Sequence, residues 1–204
     1  MYSTKTATTN NTEFNSSYMP VGINENVTLK EVNVNKTPQG RDFLEIIFEN
    51  EQGKTATMTE WKNEKNMWIK TDEDLQNRDN QQFGRILQVI DCLGLRPEFE
   101  GSSFVEMINW TKGILEQYKN IDNKKLRLKV VYDKKGYTKV SSLGVFVEPM
   151  SVAKEESQIK LWKNDLLERP VQADVEKPVD PLAAGTTSSA PVTADSTGAD
   201  DLPF

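Results

Sequence analysis

The sequence ends in Asp200-Asp201-Leu202-Pro203-Phe204, two acids ahead of an apolar tip that also carries the terminal carboxylate. Folding requires no such end, but a partner with a small apolar pocket for the ring and a basic rim for the carboxylates can hold it. The other close acidic run, Asp72-Glu73-Asp74, is not at the end of an apolar strand, where paired carboxylates could hold Mg²⁺ for nuclease chemistry. With no histidine, imidazole is excluded as general base, metal ligand or pH switch. Cys92 is the only cysteine, too few for a thiolate zinc site or a disulfide within the chain. Its setting in Val89-Ile90-Asp91-Cys92-Leu93 reads as core. P-loop, Gly-rich dinucleotide and nucleophile motifs are all missing. The residue types therefore argue against an enzyme, and no cofactor or metal is expected.

The remaining chemistry lies in aromatics interleaved with cations. Lys112 to Lys139 holds nine bases against three acids, whereas Pro170 to Phe204 holds six acids against one base. A near-neutral body thus carries a basic stretch and an acidic tail, a pattern that suits a polyanion at one part and a different partner at the other.

These residues need a scaffold. Residues 1–20, dominated by Thr, Asn and Ser, read as a flexible arm with too little apolar surface to offset ordering. From Asn26 to Asn35 apolar residues alternate with one slip at Glu31, as in a bulged strand. Arg41 to Asn50 and Lys54 to Trp61 alternate again after turn chemistry at Lys36 to Gly40 and Asn50 to Gly53, giving a meander. Phe83, Ile86, Leu87, Ile90 and Leu93 then fall at helical spacing before Gly94, and Ser103-x-x-Glu106 reads as a capping box for a second helix. Strands resume at Leu126 to Tyr132 and from Tyr137 towards Val147. Three strands, a helical insertion over about 62–123 and two more strands predict a mainly β fold, a five-stranded OB barrel over 21–150. Residues 151–169 read as a short helix, with Ile159, Trp162 and Leu166 aligned. Residues 170–204 read as a disordered acidic tail.

The ending resembles the acidic tip of bacterial and phage single-stranded DNA-binding proteins, with Leu202 in place of their Ile and Ala199 where a further acid is common. The order of barrel, low-complexity tail and tip extends the resemblance over the whole chain. The long stretch from Trp61 to Asn123 suggests a divergent, phage-encoded member and puts the family's usual tetramer in doubt. The resemblance implies binding of single-stranded DNA in replication, recombination and repair. It also implies recruitment of partner proteins through Asp200, Asp201, Leu202, Pro203 and Phe204.

The body reads the same way. Sequence-independent single-strand binders combine a basic groove with aromatic platforms. On an OB barrel the binding surface is the face of strands two and three with two flanking loops. Here that places Arg41, Phe43, Trp61, Trp68 and Tyr137 beside Arg127, Lys129, Lys134, Lys135 and Lys139 as the nucleic-acid-binding set. A protein-interaction adaptor and a strand-annealing or recombination-mediator protein are the alternatives. No apolar stretch approaches a membrane span and the polar start is no signal peptide, so the expected location is the cytoplasm, the host's for a phage protein.

Overall fold

The structure is a computed structural model that describes residues 17–121 and 123–170. Alternation builds the first three strands where it is expected. β1 (Gly22–Lys36), β2 (Asp42–Glu49) and β3 (Thr55–Trp61) turn Val27, Leu29, Val32, Leu44, Ile46, Phe48, Ala56 and Met58 into the interior. β1 is long because it serves two neighbours. Its later residues, Thr28 to Lys36, pair antiparallel with β2, and its earlier ones, Gly22 to Val27, with β4 (Leu126–Tyr132). It bends between them at two register shifts. One lies between Leu29 and Glu31, at the slip visible in the sequence. The other lies between Asn24 and Val27, where Asn26 takes φ 57°, a region that Asn enters more readily than most residues.

The connection after β3 folds into α1 (Asp72–Cys92), α2 (Phe104–Leu115) and a 3₁₀ turn (Glu116–Tyr118). α1 begins well before its apolar repeat because Thr71 and Asp74 form a capping box. Asp74 N–H donates to Thr71 Oγ1 (3.0 Å) and Thr71 N–H to Asp74 Oδ2 (3.1 Å), which holds the Asp74 carboxyl below its ordinary pKa. Ser103 caps α2 through Glu106 N–H (3.2 Å), while the Glu106 carboxylate accepts from Ser102 N–H (2.8 Å) rather than closing a box. Ile86, Val89, Ile90, Met107, Ile108 and Leu115 join the strand residues in one core. Cys92 is half-buried against it, and burial pushes its thiol up to about 12, so it stays protonated as a packing group.

β4 breaks the expected alternation. Every residue from Leu126 to Val131 is buried, including Arg127 and Lys129, which were expected on a positive outer surface. Arg127 pairs with Glu148 and reaches Glu25 (3.3 Å). Lys129 has no exposed side-chain surface, and its Nζ donates to Leu143 O (2.9 Å), Lys160 O (2.9 Å) and Asp165 Oδ2 (3.0 Å). Asp165 also accepts from Trp162 N–H (2.7 Å) and Ser141 Oγ (3.1 Å).

This knot of bonds reshapes the chain beyond β4. The single strand expected from Tyr137 is two short ones, β5 (Thr138–Val140) and β6 (Val147–Pro149), on one edge of β4 with loop 141–146 between them. Likewise, the helix expected over 151–169 is a 3₁₀ turn (Lys154–Glu156) followed by a non-helical strap. Its backbone is bonded elsewhere, Lys160 O to Lys129 Nζ and Leu166 O to Tyr132 N–H (2.8 Å).

The strand order is β3-β2-β1-β4-β5, with β6 also on β4. β3 and β5 approach to Cα distances within 8 Å, but no ladder joins them. The fold is therefore mixed α/β with an open six-stranded sheet, and the expected mainly β OB barrel is not formed, although the helical insertion is present. Closure needs a continuous strand opposite β3, and β5 offers three residues before loop 141–146 is drawn aside. The family resemblance, drawn from the terminal tip and extended over the chain by that barrel, is corrected with it, because the sheet is open. Among the described residues no helix is long and apolar enough to cross a membrane.

Asp165→Ala leaves the Lys129 ammonium buried without its counter-charge and is expected to cost about 3 to 5 kcal/mol in urea unfolding. Burial alone would raise the Asp165 carboxyl, but Trp162 N–H, Lys129 and Ser141 outweigh it and hold the pKa below the ordinary aspartate value. A lowered folded pKa stabilises fully above the unfolded value. That contribution should fade as pH falls from the ordinary aspartate range through the lowered one, and Asp165→Asn should flatten this part of the stability profile.

Candidate nucleic-acid interface

At one end of the sheet the antiparallel register puts Phe43 of β2 directly opposite Trp61 of β3. Their rings stack with centroids 4.4 Å apart and an interplanar angle of 27°. The Arg41 guanidinium carbon lies 5.3 Å from the Trp61 ring centroid, and Arg41 NH2 donates to Lys62 O (2.9 Å). Trp61 remains 38% exposed. A cross-strand aromatic pair with a cation over it contributes on the order of 1 kcal/mol beyond area burial and fixes the ring planes.

α1 fastens the strand that carries the indole. Arg85 Nε and NH2 donate to both oxygens of Glu60 (2.7 and 2.6 Å), and Gln82 Nε2 donates to Glu60 Oε2 (2.9 Å) and Trp61 O (2.8 Å). Glu60 is buried, so this fork replaces the hydrogen bonds that its carboxylate would make to water. The sequence carried a signal for it. Glu60 continues the inward set Ala56 and Met58, and a carboxylate in such a position needs a buried partner. Gln82 and Arg85, one helical turn apart, supply it.

Along the seam between β3 and β5 runs a cleft of about 360 Å³ lined by Thr57, Thr59, Trp61, Arg85, Lys139, Ser141 and Ser142, among others. A second concavity, lined by Thr37, Gln39, Arg41 and Trp61, opens beside the same indole. Trp61 thus stands between a hollow with Arg41 and a cleft with Lys139. Among the described residues, no carboxylate pairs with Arg41, Lys134, Lys135 or Lys139. Lys134, Lys135 and Tyr137 sit on the hairpin leading into β5, whose turn is tied by Asp133 Oδ1 accepting from Lys135 N–H (2.8 Å) and Tyr137 N–H (2.9 Å). Tyr137 is largely exposed.

The structure gathers Arg41, Phe43, Trp61 and Lys139 at this seam and places Lys134, Lys135 and Tyr137 on the adjoining hairpin. It does not bring Trp68 to the cleft. Trp68 is 81% exposed in the loop before α1, where Asn66 Oδ1 accepts from Trp68 N–H (2.8 Å) and Ile69 N–H (3.1 Å). Arg127 and Lys129 are enclosed and neutralised. The tip residues Asp200, Asp201, Leu202, Pro203 and Phe204 lie outside the described residues. The outward face of the meander also carries Glu31, Glu45 and Glu49, which alternation places there but the basic stretch overshadows in sequence. Glu49 pairs with Lys30 (2.7 Å) and Glu45 accepts from Asn35 Nδ2 (3.0 Å), so the centre of that face is acidic and polar. The serines of loop 141–146 carry no signal in sequence, because only the Lys129 knot brings them to the seam.

No family model matches this chain, and no curated protein matches it.

A double-mutant cycle over Phe43→Ala and Trp61→Ala, followed by urea unfolding, is expected to give a coupling of about 0.5 to 1.5 kcal/mol. Arg85→Ala is expected to destabilise and also to alter Trp61 fluorescence, since it leaves buried Glu60 with Gln82 alone.

Proposed function

We propose that this protein binds single-stranded DNA without sequence preference and performs no catalysis, the kind of binding that replication, recombination and repair require. The observation that carries the reading is the partly exposed Trp61, stacked on Phe43, with Arg41 in the hollow on one side and Lys139 in the cleft on the other. Every base has a π-face and every nucleotide a phosphate, so an indole between unpaired cations recognises the strand and not its sequence. The hydroxyls of Thr57, Thr59, Ser141 and Ser142 supply donors and acceptors along the same cleft. Glu31, Glu45 and Glu49 repel phosphate from the middle of the sheet and direct the strand along the seam towards Lys134 and Lys135. Recruitment of partner proteins through Asp200 to Phe204 is a separate arm of the proposal and rests on the chemistry of those residues.

Titration with oligo(dT), followed by tryptophan fluorescence, is expected to quench and to favour the single strand over duplex of equal length. With about four phosphates neutralised by Arg41, Lys134, Lys135 and Lys139, log affinity should fall with log salt at a slope of roughly −3. Trp61→Ala is expected to cost about 1 to 3 kcal/mol of binding. Lys139→Ala should instead reduce the salt slope by about 0.7. A slope near zero, or full affinity in Trp61→Ala, would remove this reading.

A further inference from the structure

Away from the seam, the strap after β6 presents an apolar surface to solvent. Leu161, Trp162, Leu166 and Leu167, with Leu143 of loop 141–146, are 37% to 53% exposed. They belong to one surface because Lys129 Nζ binds Leu143 O and Lys160 O together, and the Trp162 indole lies against Gly144. A Cβ at Gly144 would stand 3.0 Å from Trp162 Nε1, and Gly144 has φ 62°, so the approach of the strap to the loop depends on glycine. Asp165 N–H donates to Trp162 O (2.9 Å), which turns the strap tightly, and the exposed Leu166 and Leu167 follow directly in the chain.

The rim of this surface is basic. Lys160, Lys163 and Arg169 are exposed on the strap. The carboxylates on the strap, residues 157–170, are Asp165, which is consumed by Lys129, and the exposed Glu168. Three cations beside these apolar side chains complement an acidic segment that also carries apolar side chains. The four exposed leucines offer little to a base or a phosphate, whereas they match aliphatic and aromatic side chains.

We propose that the surface formed by Leu143, Leu161, Trp162, Leu166 and Leu167 docks an acidic, apolar segment of a partner protein, with the lysines and Arg169 holding its carboxylates. This inference does not depend on the nucleic-acid reading, since none of these side chains lines the cleft or the hollow beside Trp61.

The test uses the full-length protein and three fluorescein-labelled ten-residue peptides, followed by anisotropy. One alternates Asp with Leu and ends in Phe. The second has Lys for each Asp, and the third has Ser for each Leu and Phe. The first is expected to bind at least about tenfold more tightly than either control, and more weakly as salt rises. Trp162→Ser should weaken it about tenfold, and Leu161→Ser, at an exposed site that leaves the fold intact, should weaken it as well. Trp61→Ala should leave it unchanged, and oligo(dT) should not displace it. Equal binding of the serine control, affinity unchanged in both variants, or no binding at about 1 mM overturns the proposal. Displacement by oligo(dT) also overturns it and assigns the surface to nucleic acid.

Discussion

An ammonium group with no exposed surface must be neutralised where it stands, and Lys129 meets that demand by gathering loop 141–146 and the strap around it. Its three acceptors come from loop 141–146, the strap at Lys160 and the carboxylate of Asp165. Each bond compensates for water that the charge has lost, so none can be given up cheaply. The ladder supports the same arrangement, with Lys129 N–H donating to Phe146 O (2.8 Å) and Ser141 N–H to Lys129 O (2.9 Å). Charge satisfaction at one residue thereby splits the edge strand, sets out the loop and holds the strap against the sheet.

The consequence for architecture is the open seam. β1 curves far enough, through its two register shifts, to bring β3 and β5 near each other. Hydrogen bonding across the gap would need a longer last strand than the three residues of β5. The seam is left as a cleft with polar and cationic walls, and the aromatic array stands at its end. On the β3 side the geometry is set by a second buried charge, Glu60, which α1 neutralises. Two interior ionic clusters, one on each side, thus position the walls of one surface cleft.

The same logic sorts the cations. Arg127 and Lys129 serve the fold, whereas Arg41, Lys134, Lys135 and Lys139 have no acidic partner among the described residues and are open to a polyanion. A lysine-rich stretch looks uniform in sequence, but burial divides it into structural and surface charges. Solvent on one side and a low-dielectric interior on the other make the two sets energetically unlike.

Local pattern determined the strands of the meander, the slip at Glu31, the presence of two helices after β3 and the stop at Gly94. Each is written in period or turn chemistry over a few neighbouring residues. It also marked Phe43 and Trp61 as outward residues, because alternation assigns a face without knowledge of the fold. Tertiary structure decided what no window of sequence contains: which charges are buried, whether the sheet closes, and whether the strap after Pro149 becomes a helix. Ile159, Trp162 and Leu166 have helical spacing, but the demand of Lys129 for acceptors outweighs the weak propensity of a short segment. Burial and partnership join residues far apart in the chain, so Lys129 could be recognised as a core charge only once Asp165 and loop 141–146 had been placed around it.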